Sequence, residues 1–142
     1  MGWREDARAE IDGLKPYWVS KHCWSPRVIE PEGEDVLDLI VTLGSKRLAG
    51  RILALRLRYQ ADWQIAGRRE AFVDPDDPAS EGLEHWPPAG DPNVRGINPM
   101  HDPPCICLRG AWGYHSVLHP DRPMDNRSLL DLLLELQWVL NE

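Results

Sequence analysis

Trp3, Ala7, Ile11, Leu14 and Trp18 recur at intervals of three and four, which places them on one face of a helix. Pro16 cannot sit in a helix interior without breaking the hydrogen-bond ladder, so the helix is predicted over residues 3 to 15. Residues 36–43 form an apolar, β-branched run interrupted only by Asp38 and Thr42, which predicts a strand. Residues 51–59 alternate, with Leu53, Leu55, Leu57 and Tyr59 on one side and Ile52 and Ala54 on the other, a second predicted strand. Gly44-Ser45-Lys46-Arg47, with Gly50 just beyond, reads as the hairpin connection between them. Ala71-Phe72-Val73 predicts a third, shorter strand. Near the end, residues 128–140 predict a helix that Asp125 or Asn126 can cap. Its apolar surface is wider than an ordinary amphipathic stripe, which points to a helix packed across a sheet.

Between Asp74 and Pro104 the pattern lapses. Eight of the thirteen prolines fall there, and a loop this long in a compact domain is usually functional or disordered. Neither side of it would hold a core alone, so residues 1–142 are expected to form one α+β domain with a long proline-rich loop at about 74–104. A length of 142 residues suits a single core. The net charge of -7 argues against a nucleic-acid partner, which needs clustered cations, and Lys46-Arg47 and Arg68-Arg69 read as solvated turns. No apolar run reaches the ~18 residues of a membrane span, and the start lacks a signal-peptide layout. Three cysteines, an odd number, suggest the reducing cytoplasm.

The chemistry concentrates in Asn98-Pro99-Met100-His101-Asp102-Pro103-Pro104-Cys105-Ile106-Cys107-Leu108. In an extended segment Cys105 and Cys107 point to the same face. Three readings fit. A thiolate attacks acyl carbon well and its thioester stays reactive toward amines; His101 could promote ionisation, and Asn98 could donate to the developing oxyanion. Alternatively, His101, Cys105, Cys107, His115 and His119 form a series with zinc-ligand residue types, although Cys-x-Cys is tight for joint chelation and Gly113, Pro120 and Pro123 predict a loop around the last two. In the third reading the two cysteines are small buried hydrophobes of a strand. Cys23, beside His22 and Trp24, has no supporting group and is assigned to structure.

The order of a short helix, a strand meander, a long proline-rich loop, Cys107-Leu108, Trp112 and a closing helix resembles the ubiquitin-conjugating (E2) family. In that family an Asn-bearing segment, commonly His-Pro-Asn, precedes the catalytic cysteine by about eight to ten residues; here Asn98 stands nine before Cys107. The triplet itself is replaced by Asn98-Pro99-Met100-His101, and Cys105 is an additional thiol. The chain also stops after the first helix that follows the cysteine, as in prokaryotic E2-like proteins of bacterial conjugation systems and of antiphage operons in which an E2-like protein acts on a cyclic-nucleotide synthase. The resemblance implies a UBC-like fold, an antiparallel meander flanked by an N-terminal and a C-terminal helix. It implies transfer of a protein carboxyl terminus through a cysteine thioester, with Cys107 as nucleophile, Cys105 as the alternative or auxiliary thiol, and Asn98 and His101 stabilising the oxyanion or poising the amine. The implied donor is a ubiquitin-like protein or the tail of a synthase (a nucleotidyltransferase), with an E1-like activating enzyme as a possible partner and no cofactor or metal on this chain. Two rivals stand beside it: an inert E2-like interaction module and a small zinc-stabilised binding domain.

Overall fold

The computed structural model of the protein describes residues 2–14, 16–88, 96–108, 111–122 and 128–141. Its elements follow in the order α1 (Trp3–Asp12), α2 (Pro16–Lys21), β1 (Ser25–Ile29), β2 (Leu37–Ser45), β3 (Arg51–Tyr59), α3 (Trp63–Ala66), β4 (Arg69–Val73), β5 (Ile97–Asn98), β6 (Cys105–Ile106) and α4 (Leu129–Asn141). Short 3-10 turns lie at Lys46–Leu48 and Leu83–His85, and a π-helical turn at Tyr114–Leu118. The architecture is α+β: β1 to β4 form one antiparallel sheet in sequence order, β5 and β6 a separate hairpin, and helices stand at both ends of the element order. Among the described residues no helix is long and apolar enough to cross a membrane.

Strand periodicity sorts the sheet into two faces. Leu39 lies opposite Leu57 and Val41 opposite Leu55; these, with Leu37, Leu43, Leu53, Tyr59 and Phe72, meet Leu129, Leu132, Leu133, Leu136 and Leu140 of α4 in the main core. Ala7 and Ile11 bring α1 onto the same core. The opposite face is covered as well. Ile40, Ala54 and Val73 form a smaller cluster there, and the loop after β4 folds back over it. Arg56 donates to the Pro78 carbonyl at 3.0 Å and to Glu81, and Arg27 to the Pro75 carbonyl at 3.2 Å. Burial on both faces explains why β2 reads as a nearly continuous apolar run instead of a strict alternation.

Several expectations change. The helix predicted over 3–15 ends at Asp12, and Trp18 belongs to a second helix that Pro16 begins, the first helical position being the one a proline tolerates. β1 went unanticipated: it is an edge strand carrying Pro26, with an exposed first half, and edges are where sheets admit proline. β2 runs on through Ser45, so the turn proper is Lys46–Leu48, closed by Ala49 and Gly50 at φ 57 and 78. The stretch at 74–104 carries a 3-10 turn and β5. Arg68 is no solvated turn. It is 6% exposed, paired with Glu10 and seated over the rings of Tyr59 and Trp63 at 5.6 and 5.3 Å.

α4 is fixed at both ends. Ser128 Oγ accepts from the Asp131 N–H at 3.1 Å, the N-cap geometry that satisfies an orphan donor of the first turn; Asp125 and Asn126, the expected caps, lie outside the described residues. At the other end Ser45 Oγ donates to the Leu140 carbonyl at 2.8 Å, and Asn141 bridges the Lys46 N–H and the Gly44 carbonyl at 2.9 and 3.0 Å. Trp24 Nε1 donates to Gln137 Oε1 at 3.0 Å. These contacts set the helix against the sheet and leave the β5–β6 hairpin beside β4.

Candidate active site

Ile97 pairs with Ile106 and Asn98 with Cys105 across the hairpin. The Cys107 N–H continues the ladder by donating to the Gly96 carbonyl at 2.5 Å. Gly96 stands at φ 81, and a Cβ there would come within 2.9 Å of Leu108 Cδ2, so both its backbone angle and the seat of Leu108 require glycine. Ile106 and Leu108 face the main core, which turns the alternate positions, Cys105 and Cys107, toward the other side. Both thiols share one face, as the spacing predicts, but unequally: Cys105 is 1% exposed and Cys107 half-buried.

The upstream candidates occupy the hairpin arm and tip. Asn98 Oδ1 accepts from the Met100 N–H at 3.1 Å, and His101 Nδ1 lies 3.2 Å from the Pro103 carbonyl. Asn98 is thus brought opposite Cys105, while His101 is turned to the tip's own backbone beside Met100, which is 73% exposed. The helical segment after the cysteines replaces the expected loop. His119 N–H bonds the Tyr114 carbonyl at 2.9 Å, the i to i+5 step of a π-turn. His115 is buried with Nδ1 3.3 Å from the Arg122 carbonyl. Among the described residues no three His, Cys, Asp or Glu side chains converge to hold a metal ion, so the His-Cys-Cys-His-His series is not assembled as a site. Cys23 is exposed at φ 56 and lines a cleft of about 440 Å³ with His22, Lys46 and Gln137.

One residue of the site escaped the sequence reading. Glu70, on β4 opposite Leu57, points into the core side and is only 7% exposed. Its two carboxylate oxygens accept from the N–H groups of Trp112 and Gly113 at 2.9 and 2.7 Å, at the start of the turn that follows the thiols. A Cβ added at Gly113 would lie 2.6 Å from Cys105 Cβ and 2.8 Å from Glu70 Oε1, so glycine is what lets the carboxylate, the turn and Cys105 converge. Just outside, the Arg69 guanidinium stacks on the Trp112 ring at 4.7 Å. The signal available in the sequence was period two: Glu70 shares its side of β4 with Phe72, and a charge at a core-facing position signals either error or function.

The electrostatics follow from burial. Loss of water pushes the Glu70 carboxyl up to about 7 against the pull of the N–H groups of Gly113, Trp112 and Ile106. Burial, then the neighbouring Cys107 and the Glu70 charge, push the Cys105 thiol up to about 12. Cys107 is also raised, by burial first, but a hydrogen bond from Cys105 works in the opposite direction. Burial works against both thiolates, but of the two sulfurs Cys107 alone has a contribution in the lowering direction, and it is also the more accessible. Comparison of the chain with family models, curated proteins and solved structures returns no match.

Proposed function

We propose that the protein is an E2-like conjugating enzyme with a UBC-like fold, working in the cytoplasm in bacterial antiphage defence. Cys107 carries a protein carboxyl terminus as a thioester and passes it to an amine. The thiolate attacks the acyl carbon of an activated donor, a C–S bond forms and the donor's activating group leaves; the amine then attacks the same carbon and expels Cys107 as thiolate. Asn98 stands on the strand paired with the cysteines, and a shift of its amide from the Met100 N–H toward the acyl oxygen would let it stabilise the oxyanion. His101 is the candidate for poising the amine. The donor is a ubiquitin-like protein or the C-terminal tail of a cyclic-nucleotide synthase, activated by an E1-like partner or already processed.

The reading rests above all on the Cys105–Cys107 pair: a half-buried thiol next to a buried one on the same face, held on a short hairpin beside an antiparallel sheet with a helix laid across it. The inert interaction module is favoured by one observation, the upward displacement of both thiols by burial. Wild type, Cys107→Ser and Cys105→Ser, each incubated with the products of the neighbouring genes and run on gels with and without reductant, separate the two. The enzyme reading expects a thiol-sensitive adduct in wild type, a thiol-resistant oxyester or no adduct in Cys107→Ser, and at least partial activity in Cys105→Ser. Loss of the adduct in Cys105→Ser alone exchanges the two roles. An absence of adduct with an authentic partner present gives the lead to the inert module.

A further inference from the structure

The cleft of about 440 Å³ at the C-terminal end of α4 has no part in the thioester chemistry, and its own chemistry is one-sided. α2 contributes Lys21, the turn after β2 Lys46, and α4 Gln137 and Asn141. Among the described residues that line it, two carry ammonium groups and none carries a carboxylate, in a chain of net charge -7.

The hydrogen bonds sharpen this asymmetry. A helix C-terminus ordinarily presents bare carbonyls, whose partial charge repels anions. Here the Leu140 carbonyl accepts from Ser45 Oγ at 2.8 Å, and Asn141 Nδ2 donates to the Gln137 and Gly44 carbonyls, each at 3.0 Å. The side-chain acceptors are taken as well. Asn141 Oδ1 accepts from the Lys46 N–H at 2.9 Å and Gln137 Oε1 from Trp24 Nε1 at 3.0 Å. These groups leave a ligand mainly donors: the two ammonium groups and the Gln137 Nε2, which can only donate. Beside them the wall is bare, since a Cβ at Gly50 would meet nothing within 4 Å and Ile52 is 58% exposed. The geometry points to a binding site for a small organic oxyanion, a carboxylate or phosphate compound whose charge meets Lys21, Lys46 and Gln137 and whose carbon frame lies on Ile52. The volume of the cleft is that of a small-molecule pocket, larger than a bare ion needs. This site is independent of the acyl-transfer reading, and either can fail alone.

Cys23 lines the same cleft with an exposed thiol, so its alkylation reports on the site. Iodoacetate, an anion, is compared with neutral iodoacetamide in low salt, peptide mass spectrometry reading each cysteine separately. The ratio of the two rates at Cys23 should be about threefold higher in wild type than in Lys21→Gln/Lys46→Gln, the scale of a unit charge several ångströms away in water. The excess should vanish in about 1 M NaCl. An equal ratio in the two chains overturns the proposal. In a second arm, citrate or pyrophosphate is added before iodoacetamide, against NaCl of equal ionic strength. Slower labelling of Cys23 with Cys107 unaffected supports the site; an effect of citrate alone marks a carboxylate ligand, and of pyrophosphate alone a phosphate. Equal slowing at both cysteines, or slowing at neither, refutes it.

Discussion

The carboxylate of Glu10, on α1, accepts a hydrogen bond from the backbone N–H of Leu129, the first residue of α4, at 3.1 Å. The same carboxylate holds Arg68 and accepts from the Tyr59 hydroxyl at 3.1 Å, so one side chain joins the first helix, the sheet and the last helix. Burial raises the Tyr59 hydroxyl well above its ordinary range, which keeps it a donor to Glu10.

Removing that carboxylate should be severe. Glu10→Ala leaves the Arg68 side chain, 7% exposed, without its carboxylate, and breaking a buried pair from one side destabilises by about 3 kcal/mol. Urea denaturation checks this. A loss below about 1 kcal/mol, the range of surface pairs, would mean that the other contacts of Arg68, the Tyr59 and Trp63 rings among them, hold the guanidinium without Glu10.

Leu133 has no exposed surface and lies where α4 meets the sheet. Leu133→Ala should lower stability by about 2–5 kcal/mol, from lost transfer energy and the residual cavity. An unchanged melting temperature would contradict the packing of α4 on the main core.

Gly113→Ala tests the convergence at the site. The added methyl would stand 2.6 Å from Cys105 Cβ, and overpacking of this kind costs about 1–3 kcal/mol. Relief requires Cys105 or the turn to move, so Cys105 should alkylate faster in the variant than in wild type. Unchanged protection of Cys105 would show that the turn yields without the hairpin.

In the native protein at neutral pH, iodoacetamide should modify Cys23 first, Cys107 second and Cys105 last. The order follows exposure, since Cys23 is open, Cys107 half-buried and Cys105 1% exposed, and reaction needs both access and thiolate. Time-resolved peptide mass spectrometry gives the order directly. Faster reaction of Cys105 than Cys107 would reverse their assigned roles.

The Glu70 carboxyl predicts a particular pH profile of stability. Its pKa rises from an ordinary 4.5 to about 7 in the folded chain, so between those values the folded state holds a proton that the unfolded state has lost. The associated stabilisation is complete below about pH 4.5 and is lost as pH rises through 7, a span worth roughly 3 kcal/mol. Relative to Glu70→Gln, wild type should therefore lose about that much between pH 4.5 and 8 in urea titrations. A flat difference would mean that the carboxyl ionises as easily folded as unfolded.

The long apolar runs carried the legible part of the fold. β2, β3 and α4 announce themselves because each puts a row of leucines on one face, and the α+β class follows from them. β1 was hidden by Pro26, which only an edge strand tolerates, and the turn at 114–118 by flanking Gly113 and Pro120. At the site, the cysteine pair and its shared face were legible from a two-residue spacing. Glu70 was not, since its partners are backbone N–H groups far along the chain, and an N–H carries no mark in a sequence.

The clamps on α4 also bear on how the chain is made. Glu10, Ser45 and Lys46 all wait for partners in residues 129–141, and the leucines of β2 and β3 wait for the same helix. During vectorial synthesis, N-terminal segments emerge first. The sheet must therefore leave the ribosome with the part of its inner face that α4 covers still bare, so the nascent chain is expected to be a client for chaperones that shield apolar surface until α4 emerges.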